Sequence, residues 1–188
     1  MLKSYLESFK LLTDQEIAEF IALTKLKVLD KGAFFIKEGE QCKEVCFLTS
    51  GIFRSFFSSA QSEEITYCIT FPNNLSTAYS SFISQQPSPE NIQALVRSEL
   101  LVVKKKDVER LAAGSLNWTR FLKQMAEQQY LELEKRLFLF QKEKAIKRYL
   151  DLMDNQPVYI QQIPLQYLAS YLGITPRHLS RIRKEILL

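Results

Sequence analysis

The sequence contains a single histidine, His178, among 188 residues, so catalytic triads, multi-histidine metal centres and most acid–base pairs lack their usual material. Cysteine is scarce as well. Cys42, Cys46 and Cys68 form no CxxC pair and stand beside no histidine, which points to reduced, buried thiols rather than a disulfide or metal framework. None of the five glycines belongs to a phosphate-cradling loop, and no carboxylate pair stands at a recognisable catalytic spacing. An enzyme is not expected, and neither is a metal site. No run of about 18 apolar residues occurs, which argues against a membrane-spanning helix. Met1-Leu2-Lys3-Ser4-Tyr5 does not open an export signal, so the chain is read as cytoplasmic, with no membrane partner.

What is present suits a folded protein of one large or two small domains. Hydrophobic residues make up 46% and charged residues 24%, enough apolar surface for a core without staples. The 25 bases and 21 acids leave a formal charge of +4, which permits an anionic partner without requiring one. Local placement of the bases has to decide.

Leu2, Tyr5, Leu6, Phe9, Leu12, Ile17, Phe20 and Ile21 recur at threes and fours, broken at Thr13-Asp14 by a helix cap, and predict a short helical preface. From Leu26 to Val103 the texture changes to short runs rich in Phe, Ile, Val, Tyr and Thr. These runs are 26–29, 34–37, 45–48, 52–57, 65–70 and 100–104, joined at Asp30-Lys31-Gly32, Glu38-Gly39-Glu40, Ser50-Gly51 and Pro72-Asn73-Asn74. Strands spaced by about ten residues predict an antiparallel β sandwich or roll, with Gly39 and Gly51 at positive φ. Ala78, Tyr79, Phe82 and Ile83 interrupt that rhythm with one or two helical turns, halted at Gln85-Gln86-Pro87-Ser88-Pro89.

After Lys106 the strands stop. Trp118, Leu122, Met125, Ala126, Tyr130, Leu133, Leu137 and Phe140 then form one helical stripe, a helix of about six turns. Near its end Leu131, Phe138 and Leu139 add a second apolar face. This helix either packs entirely within its own subunit or forms a seam with its copy in a second subunit, with Trp118, Leu122, Met125, Tyr130, Leu133 and Leu137 as the dimer contacts. Another helix follows over 143–153, ended by Asp154-Asn155-Gln156-Pro157, and a domain boundary is placed near Lys142.

Residues 165–185 read LQYLASYLGITPRHLSRIRKE and fit a helix-turn-helix position by position. Leu168 and Leu172 share a face with small Ala169 beside them, so that a second helix can cross closely; Gly173 suits a chain leaving the helix at positive φ. Ile174 fills the corner, Thr175-Pro176 is a hydroxyl cap followed by proline at the first helical position, and Leu179 and Ile182 face back onto Leu168 and Leu172. Thr175, Arg177, His178, Ser180, Arg181, Arg183 and Lys184 remain as a strip of donors and positive charge. That is the chemistry phosphates and base edges of a major groove accept.

A glycine-punctuated roll carrying KEGE at 37–40 and SGIFR at 50–54, then a long helix, then YLASYLGITPRHLSRIRKEI resembles the Crp/Fnr family of transcription regulators. The resemblance spans nearly the whole chain. It implies an α+β fold: a cyclic-nucleotide-binding-like jelly-roll effector domain over 1–115, a dimerisation helix over 116–141 and a helix-turn-helix domain over 142–188 that lacks a C-terminal wing. It implies double-stranded DNA, a second copy of the chain and RNA polymerase as partners, and a small-molecule effector of unknown identity. By position, Arg177, Ser180 and Arg181 fall where the family reads bases, with Arg177 replacing the usual glutamate.

The cyclic nucleotide itself is not expected. The family's Gly-Glu-Leu and Arg-Ser/Thr-Ala cassette is missing: between Phe71 and Val96 there is no glycine and no arginine, and Glu90 is the only charged residue. Ser76, Thr77, Tyr79, Ser80 and Phe82 are the candidate pocket for a neutral or weakly anionic effector. The iron–sulfur and haem sensors known in the family would need a cysteine cluster or an axial histidine, and neither is present. The competing reading is a small-molecule-binding roll whose C-terminal motif serves packing or protein interaction.

Overall fold

The computed structural model describes residues 1–186, which divide into two compact units. The first comprises residues 1–57 and 68–127, and the second comprises 58–67 and 128–188.

The first unit opens on helices α1 (Leu2–Glu7) and α2 (Asp14–Leu23). The break between them falls at Thr13, where a reciprocal capping box forms: Thr13 Oγ1 accepts from Glu16 N–H, and the Glu16 carboxylate accepts from Thr13 N–H. Burial pushes the Glu16 carboxyl up, but hydrogen bonds from Ser115 Oγ, Thr13 N–H, Asn117 Nδ2 and Thr13 Oγ1 outweigh it and hold the group down at about 2, against an ordinary 4.5. A folded-state value below the unfolded one contributes stability that is fully present above about pH 4.5 and is lost as pH falls toward 2. Glu16→Gln is therefore expected to lower the melting temperature at pH 6 to 7, and the gap to the wild type should close progressively below pH 4.5. A gap that stays constant down to pH 2.5 in thermal scans would show that the carboxylate charge contributes nothing.

The roll is built from β1 (Lys25–Leu29), β2 (Phe34–Ile36), β3 (Glu44–Ser50), β4 (Phe53–Ser58), β5 (Glu64–Thr70), β6 (Asn74–Ser76), β7 (Asn91–Ala94) and β8 (Ser98–Lys104). These strands form two sheets, ordered β1-β8-β3-β6 and β2-β7-β4-β5. Gly39 and Gly51 have φ of +85° and +99°, the conformation their turns require. Cys46, Phe47 and Leu48 are all buried, so both faces of β3 are covered. On one face the ring of Phe47 meets Tyr5 of α1, with centroids 5.4 Å apart. Cys42 and Cys46 are free and buried, and burial raises the Cys46 thiol well above its ordinary value.

Two strands lie outside the runs read from sequence. β6 falls on the stretch taken as a Pro-Asn-Asn joint, and β7 directly follows the Pro-Ser-Pro stop. Helix α3 (Tyr79–Ser84) occupies the expected interruption. Helix α4 (Lys105–Gly114), directly after β8, was not expected; it buries only Val108 and Leu111.

Helix α5 (Leu116–Lys142) runs 27 residues, about 40 Å. Its residues up to Glu127 group with the first unit and those from Gln128 with the second. That second unit continues with α6 (Ala145–Asn155), α7 (Pro157–Gln162), α8 (Leu165–Tyr171) and α9 (Pro176–Ile186). Pro157, read as a stop, instead begins α7 at a position where proline's missing N–H costs nothing.

Candidate nucleic-acid interface

Helices α8 and α9 cross at a buried apolar contact. Leu168, Ala169 and Leu179 have no exposed surface, and Leu172 and Ile182 are also buried. Gly173 adopts φ +67°, and its N–H and that of Ile174 donate to the carbonyls of Ser170 and Ala169, both at 3.0 Å, closing the end of α8. Thr175 Oγ1 accepts from His178 N–H at 3.2 Å, and Pro176 is the first residue of α9. The buried crossing, the positive-φ glycine and the threonine cap take the places the sequence suggests, while Ile174 is half-buried.

The turn is held from behind by two arginines that sequence reasoning did not single out. Arg136 of α5 donates from Nη2 to Tyr171 O at 2.9 Å. Arg148 of α6 donates from Nε and Nη2 to Leu172 O at 3.1 and 2.9 Å, and from Nη1 to Glu143 O at 2.7 Å. Both guanidinium groups lie 4.7 Å from the Phe140 ring, and Arg136 also lies over Tyr171 at 4.1 Å. The carbonyl end of α8 is the negative pole of its dipole, where cations are favoured. Burial first, and then the neighbouring charge of Arg136, lowers the Arg148 pKa. Arg136 and Arg148 are positioning residues: Arg136 ties the turn to α5 and Arg148 ties it to α6, all within the same unit. The turn carbonyls they hold, Tyr171 O and Leu172 O, lie 35 and 24 positions away, and no sequence pattern marks such a contact.

Within α8, Ser170 Oγ accepts from Thr66 N–H at 2.8 Å and donates to Glu64 O at 3.1 Å. Glu64 and Thr66 belong to the β4–β5 hairpin tip, residues 58–67, which groups with the second unit. The hydroxyl thus satisfies a donor and an acceptor of edge strand β5.

The outer strip of α9 is narrower than the sequence suggested. Arg177, Arg181 and Lys184 are exposed and lie away from Leu179 and Ile182, and Thr175 is exposed at the helix start. His178, Ser180 and Arg183 are half-buried on the flanks. Ser180 Oγ donates to Pro176 O at 3.0 Å. Arg183 sits 6.0 Å from the Tyr149 ring, and its Nε is buried without a hydrogen-bond partner among the described residues. Its packing against α6 follows from the helical period, which puts residue 183 nearer to Leu179 and Ile182 than to Arg177.

The six residues assigned to a dimer seam fall into two groups. Trp118 is 1% exposed, ringed by Phe20 and Phe121 at 5.0 and 5.4 Å, so it is a core residue of the first unit and not a surface contact. Leu122 and Met125 are partly buried against the same core. Tyr130, Leu133 and Leu137 are 63%, 58% and 53% exposed, a solvent-facing apolar stripe on α5, with Leu131 and Phe138 beside it.

The residues singled out for an effector differ in burial and in partners. Thr77 Oγ1 donates to Glu44 O at 2.9 Å, Ser76 is buried with its carbonyl accepting from Cys46 Sγ, Phe82 is in the core, Tyr79 is half-buried and Ser80 is exposed. Ser88-Pro89-Glu90 is the segment that the resemblance sets roughly against Arg-Ser-Ala; Ser88 and Glu90 are both buried, and Ser88 Oγ donates to Glu90 O and accepts from Glu90 N–H.

Residues 26–115 match the model of the cyclic nucleotide-binding domain family. No curated protein sequence matches the chain. Among solved structures, FixK2 from Bradyrhizobium japonicum superposes with a TM-score of 0.75 at 18% identity, covering 87% of this chain and 84% of that one. The catabolite activator protein of Thermus thermophilus gives 0.61 at 18% identity over 94% and 84%. A protein from Eubacterium rectale assigned to the Crp/Fnr family of transcriptional regulators gives 0.75 at 13% identity over 98% and 88%. Residues 26–115 are therefore similar to the cyclic nucleotide-binding domain, and the chain has the fold of the Crp/Fnr transcription regulators.

Proposed function

We propose that this chain is a sequence-specific, DNA-binding transcription regulator that acts in the cytoplasm as a homodimer, without enzymatic activity, and that its effector is not cyclic AMP. The observation that carries the reading is the build of α8 and α9: a buried crossing, a positive-φ glycine turn braced by Arg136 and Arg148, and an outer face left to Arg177, Arg181 and Lys184. Arg181 would read a base edge as a bidentate fork, Lys184 would meet phosphate, and Arg177 would do either. Two copies joined along Tyr130, Leu133 and Leu137 would address half-sites about 34 Å apart or a multiple of that. RNA polymerase is the partner a regulator of this fold would engage.

Selection of bound duplexes from a random pool at two salt concentrations, with and without cyclic AMP, tests this. An inverted repeat should be enriched, and cyclic AMP should leave it unchanged. On the selected operator, Arg181→Ala should cost about 1–3 kcal/mol and relax one base position. Lys184→Ala should weaken operator and random DNA alike and reduce the salt slope by about one. Retention of wild-type binding by both variants would remove α9 from the interface.

A further inference from the structure

A second feature of the roll carries chemistry that the DNA-reading unit does not use. A cleft of about 490 Å³ in the first unit is lined by Lys25 and Lys27 of β1, Glu44 of β3, Lys104 of β8, and Lys106 and Asp107 of α4. The strand register explains the clustering. Lys25 pairs with Val102 and Lys27 with Leu100, while Lys104, two residues beyond Val102, pairs with Glu44, so all four side chains emerge on the same sheet face. Farther along, that face is buried at Leu100 and Val102; the lysines stand where it leaves the core.

The carboxylates of the cleft are already engaged. Glu44 pairs with Lys27 and Asp107 with Arg110, each at 3.7 Å. Lys25, Lys104 and Lys106 are exposed and have no carboxylate within 4.0 Å among the described residues. Three like charges gathered around one concavity raise its potential and draw an anion. The cleft is not uniformly polar, because Leu23, Leu26 and Val102 also line it and Leu26 is left 68% exposed. Its volume lies within the range of about 300–1,000 Å³ typical of small-molecule sites.

We propose that this cleft binds a small organic polyanion, a phosphorylated or multiply carboxylated metabolite whose acidic groups sit among Lys25, Lys104 and Lys106. The site is independent of the DNA-reading proposal, since none of its residues lies in the second unit.

Titration calorimetry of the full chain with inorganic pyrophosphate and with fructose 1,6-bisphosphate, at 150 mM salt, tests it. Saturable binding of at least one probe, one per chain, is expected. It should weaken at least tenfold in Lys25→Ala/Lys104→Ala and change less than twofold in Arg177→Ala/Arg181→Ala, which removes exposed positive charge elsewhere. If the alanine pair lowers the melting temperature, Lys25→Gln/Lys104→Gln keeps the side-chain stems and carries the comparison. Three results would overturn the proposal: no saturable binding of either probe, binding that survives the lysine variants, or binding of a ten-residue glutamate peptide through Lys25 and Lys104 while both small anions fail. The last of these would assign the cleft to an acidic protein partner.

Discussion

Leu133→Asp/Leu137→Asp is expected to turn the protein into a monomer and to lower its affinity for a two-fold operator by at least about 100-fold, because a single recognition unit keeps only half of the specific contacts. Leu133 and Leu137 are more than half exposed on the same stripe as Tyr130. Each leucine side chain moved out of water contributes about 1.5–3 kcal/mol, and symmetry doubles every residue of the stripe. Two aspartates per chain would replace that gain with facing like charges in a desolvated seam. Ile83→Asp is the matched control: Ile83 of α3 is 58% exposed, and a charge there should change neither mass nor DNA affinity. Light scattering after gel filtration and mobility shift on the selected operator give both readouts. A wild-type protein that is already monomeric, or a double variant that remains dimeric, would remove this face of α5 from any subunit contact.

The same helix shows where sequence reading works and where it stops. Its stripe at threes and fours predicted the helix correctly, because the period of apolar residues is a local property. The period does not say what covers each turn of the stripe. Trp118 and Leu133 lie only about 60° apart around the helix, yet one is enclosed by Phe20 and Phe121 and the other is open to solvent. That difference is set by α2, distant in sequence, so no window around residue 118 contains it. The helix-turn-helix lies at the other extreme: Ala169, Gly173, Thr175 and Pro176 each satisfy a steric demand within a few residues, and the motif could be read position by position. Strands β6 and β7 were missed for a related reason. They span three and four residues beside Pro-Asn-Asn and Pro-Ser-Pro, where turn chemistry masks β propensity, and pairing to β3 and β4 decides their state. Arg136, Arg148 and Ser170 carried no local signal, because their partners are main-chain groups brought in by tertiary folding.

Gly173→Val is expected to destabilise the second unit by about 2–5 kcal/mol and to abolish operator binding near 37 °C. Two costs combine. A β-branched residue at φ +67° is strained by about 1–2 kcal/mol. A Cβ at this position would also lie 2.7 Å from Cε1 of Phe140, and overpacking of that kind adds about 1–3 kcal/mol. The ring has little freedom to retreat, since Arg136 and Arg148 both lie 4.7 Å from it and are themselves tied to the carbonyls of Tyr171 and Leu172. Yielding at residue 173 therefore disturbs the anchors that orient α9. Gly114 offers the contrast: it ends α4 without positive φ, and a Cβ there would meet nothing within 4 Å, so Gly114→Ala should stay within about 0.5 kcal/mol of the wild type. The two costs at residue 173 separate in a double-variant cycle. Phe140→Leu should recover the steric share of a Gly173→Ala variant and leave the backbone share, a coupling of about 1–2 kcal/mol in denaturant unfolding. Full additivity of the two substitutions would mean that the ring does not constrain the turn, and that the left-handed backbone alone requires glycine.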